Sequence, residues 1–472
     1  VQQTVLTRRR FGQRKMIFGK IKELFFVGIG GSGMSGIAEI LHNLGYKVSG
    51  SDIKESEVTA HLEEIGVKVY YEHNPANIGT ANVVVISSAV TADNPEVAEA
   101  KNRGVAVIKR AEMLGELMRL KYSLGIAGTH GKTTTTSMLG KVLHDAGLDP
   151  TVIVGGIVAG KGTGASLGSG DYMVAEADEY DKSFLKMFPT VAIVTNIEED
   201  HLECYDGVED LEASFVQYMN RVPFYGLVVY NADDPRMHEL SPKIVRPAVS
   251  FGFGETADFR AVDCEYFEGG SRFAVFKRTE KLGEILLHVP GKHNIANAMA
   301  SIAAAYELEI PFERIADSLR EFKGVGRRFD IKGSVNDIMV VDDFAHHPTE
   351  IRAAIETAQS YKRRVIVVFQ PHLFTRTLAF FKEFAEVLKS VHKAFVVDIQ
   401  PAREKPLQGV HASMITDYAR ARGYANLEYL GEKEKAIAAV TSIVQPGDIV
   451  MTIGAGSVTV LGPKILEKLK KQ

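Results

Sequence analysis

The segment Gly128-Thr129-His130-Gly131-Lys132-Thr133-Thr134 joins two different hydrophobic rhythms, and that junction restricts the fold more than any other feature of the chain. Upstream, Tyr122 to Ala127 has the short apolar run of a buried strand. Downstream, Met138, Leu139, Val142 and Leu143 recur at helical spacing within Thr133 to Ala146. A glycine-rich turn from strand to helix presents successive backbone N–H groups in front of a positive helix end, which attracts phosphate. Lys132 adds a mobile positive charge for the β/γ-phosphates, and Thr133 a hydroxyl for Mg²⁺. The longer nucleotide motif asks for glycine five residues before Gly131, where Ile126 stands, so only the compact form is present. A plain helix-capping turn explains the glycines and threonines but not the lysine between them.

A second glycine loop precedes it. Gly28-x-Gly30-x-x-Gly33 follows the apolar run Leu24 to Ile29 and opens the helical pattern Met34 to Leu44, and Asp52 lies nineteen residues beyond Gly33 at the end of the next strand candidate. That context fits a pyrophosphate held by backbone and a ribose held by an acid. An NAD-dependent dehydrogenase would use such a loop, and so would a protein that binds a UDP-sugar; fold alone does not separate them. Lys47 to Ser51, Val58 to Ile65 and Val83 to Ser87 continue the strand–helix alternation expected of a parallel sheet wrapped by helices. Ala111 to Lys121 is a further helix. Residues 258 to 290 change character, with Phe273 to Phe276 and Ile285 to Leu287 predicting antiparallel strands. The alternation resumes at Met339 to Val341, Val365 to Phe369, Ala394 to Val397 and Asp448 to Ile453.

At 472 residues the chain exceeds one hydrophobic core, and about three domains are expected. The net charge of −4 leaves no basic footprint for nucleic acid. Cys204 and Cys264 are the only cysteines, which suits a reducing cytoplasm better than a disulfide scaffold. No run of about 18 apolar residues predicts a membrane span. Thr7-Arg8-Arg9-Arg10-Phe11 superficially resembles a twin-arginine signal but lacks the apolar segment that should follow. Residues 1–15 are therefore expected to be a disordered basic extension, upstream of a natural start at Met16.

Acidic groups follow two further strand candidates, Tyr172 to Ala175 leading to Glu176-Ala177-Asp178-Glu179 and Val191 to Asn196 leading to Glu198-Glu199-Asp200-His201. Carboxyl ends of parallel strands face the ligand crevice, and Mg²⁺ needs only one or two carboxylates beside phosphate oxygens. Glu176 is the candidate metal ligand, with His201 a second. Gly291-Lys292-His293-Asn294-x-x-Asn297 precedes an alanine-rich helix that Asn294 or His293 could simply cap. Arg327-Arg328 can meet phosphate or form surface ion pairs. Asp342-Asp343 with His346-His347-Pro348, and Gln370-Pro371-His372 with Thr375-Arg376-Thr377, end successive strands and predict a site rim. The paired histidines invite a zinc reading, but no cysteine or third ligand stands at zinc spacing.

With these motifs in this order, the chain resembles the Mur ligases of bacterial cell-wall synthesis from Met16 onward. The resemblance implies an α/β protein of three domains: a Rossmann-like UDP-sugar-binding domain over 16–121, a central P-loop ATPase domain with an antiparallel subsheet over 122–328, and a C-terminal Rossmann-like α/β domain over 329–472. It implies that Gly28, Gly30, Gly31, Ser32, Gly33, Met34, Asp52 and Ser87 hold a UDP-sugar. Gly128, Thr129, His130, Gly131, Lys132, Thr133 and Thr134, with His293, Asn294 and Asn297, would hold ATP. Thr133, Glu176 and His201 match the family's metal positions. Arg328 and Asp343 match domain-closing residues, and His347, His372 and Arg376 would reach the carboxylate or the amino acid.

The implied reaction joins L-alanine to the lactyl carboxylate of UDP-N-acetylmuramate at the expense of ATP, in the bacterial cytoplasm, by a monomer or weak homodimer with Mg²⁺. Leu202 to Asn220 contains no lysine, whereas several later-acting relatives carry a carbamylated lysine there. Lys182-Ser183-Phe184-Leu185 and Thr195-Asn196-Ile197 favour the alanine-adding type over a sibling that attaches a recycled tripeptide. Leu373 and Phe344 depart from the family pattern, where Arg and Tyr are frequent.

Overall fold

The computed structural model describes residues 18–31, 33–87, 89–155, 165–402 and 404–471. The expected extension over 1–15 and the sugar-site candidate Ser32 lie outside the described residues. The fold is α/β in three sheet-based parts, a parallel N-terminal sheet, a mixed central sheet and a C-terminal sheet. By contact the chain divides into two compact units, Val1–Gly125 with Asp149–Pro189, and Ile126–Leu148 with Thr190–Gln472. Residues 149–189, assigned from sequence to the central domain, thus group with the first unit.

In the first unit, five parallel strands run in the order Lys68–Tyr70, Lys47–Ser51, Glu23–Val27, Val83–Ile86, Ala106–Lys109. Leu24 to Val27 are fully buried, the signature of a central strand covered on both faces. Helix Met34–Asn43 buries Ile37, Ile40 and Leu41, spaced as one helical face requires. Strand order reverses between 23–27 and 83–86, which opens a crevice at their carboxyl ends. Thr151–Ile153 pairs with Ala165–Ser166 antiparallel and with Tyr172–Glu176 parallel.

In the second unit, Val191–Val194, Leu227–Asn231 and Ala248–Gly252 are parallel neighbours, and Phe259–Phe267, Gly270–Lys277 and Glu280–Leu287 continue the sheet, the last two pairings antiparallel. The change of pattern after residue 258 is this meander. The C-terminal sheet runs Asp330–Val335, Ile338–Asp343, Ile449–Ile453, Val365–Phe369, Lys393–Val397, Leu427–Gly431, parallel except for the first pair. Alternate residues feed two cores, Val341, Val367, Val396 and Met451 on one face and Val340, Ile366, Val368 and Val450 on the other. Burying each such side chain contributes roughly 1.5–3 kcal/mol. No helix among the described residues is long and apolar enough to cross a membrane.

Candidate active site

The first unit builds a phosphate-sized turn at its switch point. Gly28 has φ +77°, and an added Cβ at Gly30 would meet Asp52 Oδ2 at 2.9 Å. The Gly30 N–H donates to that same oxygen at 2.9 Å. Asp52 therefore braces the glycine loop, a duty the sequence reading did not give it. Behind it, the buried Glu96 carboxylate accepts from Ser51 Oγ at 2.6 Å and Asn77 Nδ2 at 2.9 Å and meets His73 Nδ1 at 2.9 Å, fixing the end of strand 47–51. Gly33 precedes the first turn of helix 34–43, which has no side-chain cap. A Cβ there would meet Arg110 Nη1 at 2.9 Å. A guanidinium beside a positive helix end is stable in company with an anion, and Arg110 was missed because it stands far from the glycine motif. Ser87 follows strand 83–86 and Met34 is buried in the helix. Glu176 ends strand 172–176, and a Cβ at Gly155 would come within 2.7 Å of its Oε2.

In the second unit the phosphate loop is locked from strand 191–194. The Thr129 N–H donates to Asn196 O at 3.1 Å and the His130 N–H to Asn196 Oδ1 at 2.8 Å, while Thr195 Oγ1 and Asn196 Nδ2 both donate to His130 O, at 2.6 and 3.0 Å. Gly128, at φ +131°, touches this brace: a Cβ would fall 2.1 Å from Thr195 Oγ1. Gly131, in the left-handed region at φ +84°, precedes helix Lys132–Asp145, whose first turn has no side-chain cap. Its N–H groups are thus presented to a ligand. Lys132 Nζ folds back onto Gly128 O at 2.6 Å and Thr129 O at 3.2 Å.

A cavity of about 240 Å³ adjoins this helix start. His130, Thr133 and Thr134 line it from the loop, Asn231 and Phe251 from neighbouring strands, His293, Asn294 and Asn297 from helix Lys292–Glu307, Arg328 from the segment leading into the C-terminal sheet, and Asp343 and Glu350 from the C-terminal domain. Asn294 does not cap its helix. The preceding Gly291 has no side-chain cap, and Asn294 Nδ2 donates to Pro290 O at 2.7 Å. Asn297 Oδ1 accepts from Thr135 Oγ1 at 3.3 Å. His293 is kept neutral, with its pKa lowered to about 4 by burial and then by Arg328.

Charges converge on this cavity. Glu350 lies 3.2 Å from His130 Nδ1, 3.4 Å from Arg328 and 3.3 Å from His346 Nδ1. Burial works against its charge, but His346, His130 and Arg328 hold its carboxyl well below the usual range. Burial also disfavours protonated His130, yet Glu350 and Glu198 outweigh it and push that pKa up to about 9. Asp343 accepts from the Phe329 and Ala345 N–H groups at 2.7 and 2.8 Å, tying the Arg328 segment to strand 338–343. Burial nonetheless pushes its pKa up to about 6. His347 caps helix Pro348–Gln359, and Thr349 Oγ1 donates to Glu198 at 2.6 Å. Arg376 makes a buried two-pronged pair with Asp200, at 2.7 and 3.1 Å, and its Nη1 lies 3.5 Å from His372 Nδ1. His201, in the left-handed region at φ +56°, has its Nε2 3.7 Å from Asp200.

Glu350, Glu198 and Asp200 are the residues that sequence reasoning passed over. Glu350 sits in an ordinary helical first turn, and only the capping pattern His347-x-x-Glu350 marks it. Glu198 and Asp200 were visible beside His201, but their C-terminal partners Thr349 and Arg376 are more than a hundred residues away. The Arg328 pair with Glu350, and the Arg327 pair with Asp342 at 3.1 Å, combine the ion-pair and ligand readings of that motif.

A triphosphate-sized cradle on one α/β unit and a dinucleotide-like turn on another define a nucleotide-using enzyme, and family comparison specifies it. Residues 23–122 match the Mur ligase family catalytic domain, 126–305 the Mur ligase middle domain, and 327–456 the Mur ligase glutamate ligase domain. The chain belongs to the Mur ligase family. Relatives named UDP-N-acetylmuramate–L-alanine ligase include that of Geotalea daltonii, 48% identical over 96% of this chain and 100% of the relative. That of Koribacter versatilis is 50% identical over 96% and 98%. Among solved structures, the UDP-N-acetylmuramate–alanine ligase of Thermotoga maritima is 29% identical, with a TM-score of 0.81 over 96% of this chain and 99% of that one. A murein peptide ligase of Psychrobacter arcticus, 24% identical with a TM-score of 0.69 over the same shares, has the same fold.

Proposed function

We propose that this protein joins L-alanine to the lactyl carboxylate of UDP-N-acetylmuramate, consuming ATP and releasing ADP and phosphate, in the bacterial cytoplasm. The observation that carries the reading is the cavity at the start of helix 132–145, where Gly131, Thr133 and Thr134 of the loop, the asparagines of helix 292–307 and Arg328 surround one volume. The UDP-sugar would lie on Gly28 to Met34, with Ser87 at the crevice and Arg110 supplementing the helix end for the diphosphate. Asp52, bonded to the loop, would shape that pocket as well as face the ribose.

In the first step a lactyl carboxylate oxygen attacks the γ-phosphorus of ATP; the bond to the bridging oxygen breaks, leaving ADP and an acyl phosphate. The alanine amine then adds to the acyl carbon, loses a proton, and the tetrahedral adduct expels inorganic phosphate. Phosphoryl transfer needs mainly positioning and charge neutralisation. Lys132 would leave the loop carbonyls for the phosphates, and Arg328, held against Glu350, would close the cavity over them. Thr133 and Glu176 would supply the hydroxyl and carboxylate oxygens that suit Mg²⁺ beside phosphate oxygens, with the His201 imidazole a second ligand. When bound, Mg²⁺ supplies charge neutralisation at the phosphates. His372, water or a phosphate oxygen would take the amine proton, and Arg376, steadied by Asp200, would orient the amino acid or the carboxylate through His372.

The test is phosphate release with UDP-N-acetylmuramate and Mg-ATP, supplying alanine, glycine, serine or a tripeptide in turn. Release that depends on alanine and on the sugar nucleotide is the expected result. Release with the tripeptide alone assigns the sibling activity, and no release with any acceptor overturns the proposal.

A further inference from the structure

His130, Glu198 and His347 are distant in sequence but come together in the second unit. Their candidate donor atoms all lie within 4.8 Å of one another, and this is the one group of three or more His, Cys, Asp or Glu side chains so arranged among the described residues. His130 Nε2 is 3.6 Å from Glu198 Oε2, and His347 Nδ1 is 3.7 Å from the same oxygen. The imidazole rings stand 5.0 Å apart at 36°. Donors around a tetrahedral Zn²⁺ at about 2.0–2.1 Å are separated by roughly 3.3 Å, so each histidine–glutamate separation lies within a few tenths of an ångström of that geometry.

Two further observations point to a cation. The His130 Nε2 that faces Glu198 is buried without a hydrogen-bond partner, and the His347 side chain, whose Nδ1 faces the same carboxylate, is only 7% exposed. On the far side of the His130 ring, Nδ1 faces the buried, ionised Glu350 carboxylate at 3.2 Å. That carboxylate–imidazole–metal order fixes the tautomer and raises ligand basicity.

We propose that His130, Glu198 and His347 bind a first-row transition-metal cation of the Zn²⁺ type, with Glu350 as the orienting carboxylate, at a site separate from the Mg²⁺ ligands assigned above. Imidazole donors favour zinc and its neighbours over Mg²⁺. His130 belongs to the phosphate loop, Glu198 to the segment after strand 191–194 and His347 to the C-terminal domain. An occupied site therefore pins that domain to the loop, and excess transition metal inhibits turnover by holding the enzyme shut.

Co²⁺, titrated into the full-length E176Q/H201Q protein and followed by its visible absorption, tests the proposal without reference to turnover. The expected result is a bound-cobalt spectrum, displaced by Zn²⁺ and not by Mg²⁺, whose affinity falls about 100-fold in H347Q or E198Q and about 10-fold in E350Q. H347C, on the same background, should add a thiolate-to-cobalt charge-transfer band, a gain of signal that misfolding cannot produce. Unchanged affinity in H347Q and E198Q, or no charge-transfer band in folded H347C, overturns the site.

Discussion

Replacing Arg376 with methionine keeps most of the side chain's volume and removes the charge that Asp200 faces. The pair is buried, with side-chain exposures of 6% and 9%, and the guanidinium reaches both carboxylate oxygens at 2.7 and 3.1 Å. Leaving one member of such a pair without its partner costs about 3–5 kcal/mol. His201 at 3.7 Å takes up part of the lost interaction, so the lower end is expected. Arg376 lies on helix Phe374–Leu388 of the C-terminal domain and Asp200 follows a strand of the central sheet. The cost thus falls on the docked arrangement of the two rather than on either core. At 1.4 kcal/mol per decade, about 3 kcal/mol lowers kcat/KM roughly 100-fold.

D200N should be similarly impaired, and R376M/D200N together no worse than either alone, giving a coupling of at least about 1.5 kcal/mol by phosphate-release kinetics. Independent, additive effects, with coupling under about 0.5 kcal/mol, would falsify the argument. The pH dependence has a definite sign. Burial favours the neutral acid, but His201 and Arg376 hold the Asp200 carboxyl well below its ordinary 3.8. Its stabilisation is present above pH 3.8 and is lost only as pH falls through the lowered value, so the coupling should be constant around neutrality.

Lys132→Ala should abolish turnover while UDP-sugar affinity, read by calorimetry, stays within a few-fold of wild type; turnover like wild type refutes the phosphate-loop assignment. Gly128→Ala, which combines a φ of +131° with a 2.1 Å clash, should destabilise by roughly 1–3 kcal/mol in denaturant unfolding. His130 has a folded-state pKa raised from 6.5 to about 9, so its contribution is full below pH 6.5 and lost as pH rises through about 9. H130N should flatten the alkaline decline in melting temperature, and an unchanged decline would exclude this pair as its source. Asp343 is raised from 3.8 to about 6 by burial, so its stabilising effect is full below pH 3.8 and lost as pH rises through about 6, worth ~3 kcal/mol. D343N should remove that slope from a stability–pH curve.

Much of the scaffold was legible because the decisive strands are apolar runs bounded by glycine or acid. Predicted Tyr122 to Ala127, Val365 to Phe369 and Asp448 to Ile453 meet the observed Tyr122–Ala127, Val365–Phe369 and Ile449–Ile453 within a residue. Strands such as Lys68–Tyr70 and Thr151–Ile153 escaped notice because three residues carry no measurable period. Site legibility followed chemistry in the same way. The phosphate loop declares itself, since glycine and lysine in that order have few structural uses. Glu350 and Arg110 do not, because a glutamate in a first helical turn and an arginine at a helix start are commonplace until their partners are in place. Asn294 illustrates the reverse error: capping was the obvious local role for it, and the helix begins at an uncapped glycine instead.

The two phosphate-loop glycines each press against one particular side chain, Gly128 on Thr195 and Gly131 on Asn297. Beyond the strain of a positive φ, their tolerance is therefore not theirs alone. A methyl group at 128 requires a smaller residue at 195, and one at 131 requires a retreat of the amide at 297. Along a lineage these positions should drift as couples, and a library that randomises the loop while freezing its two neighbours will recover only glycine.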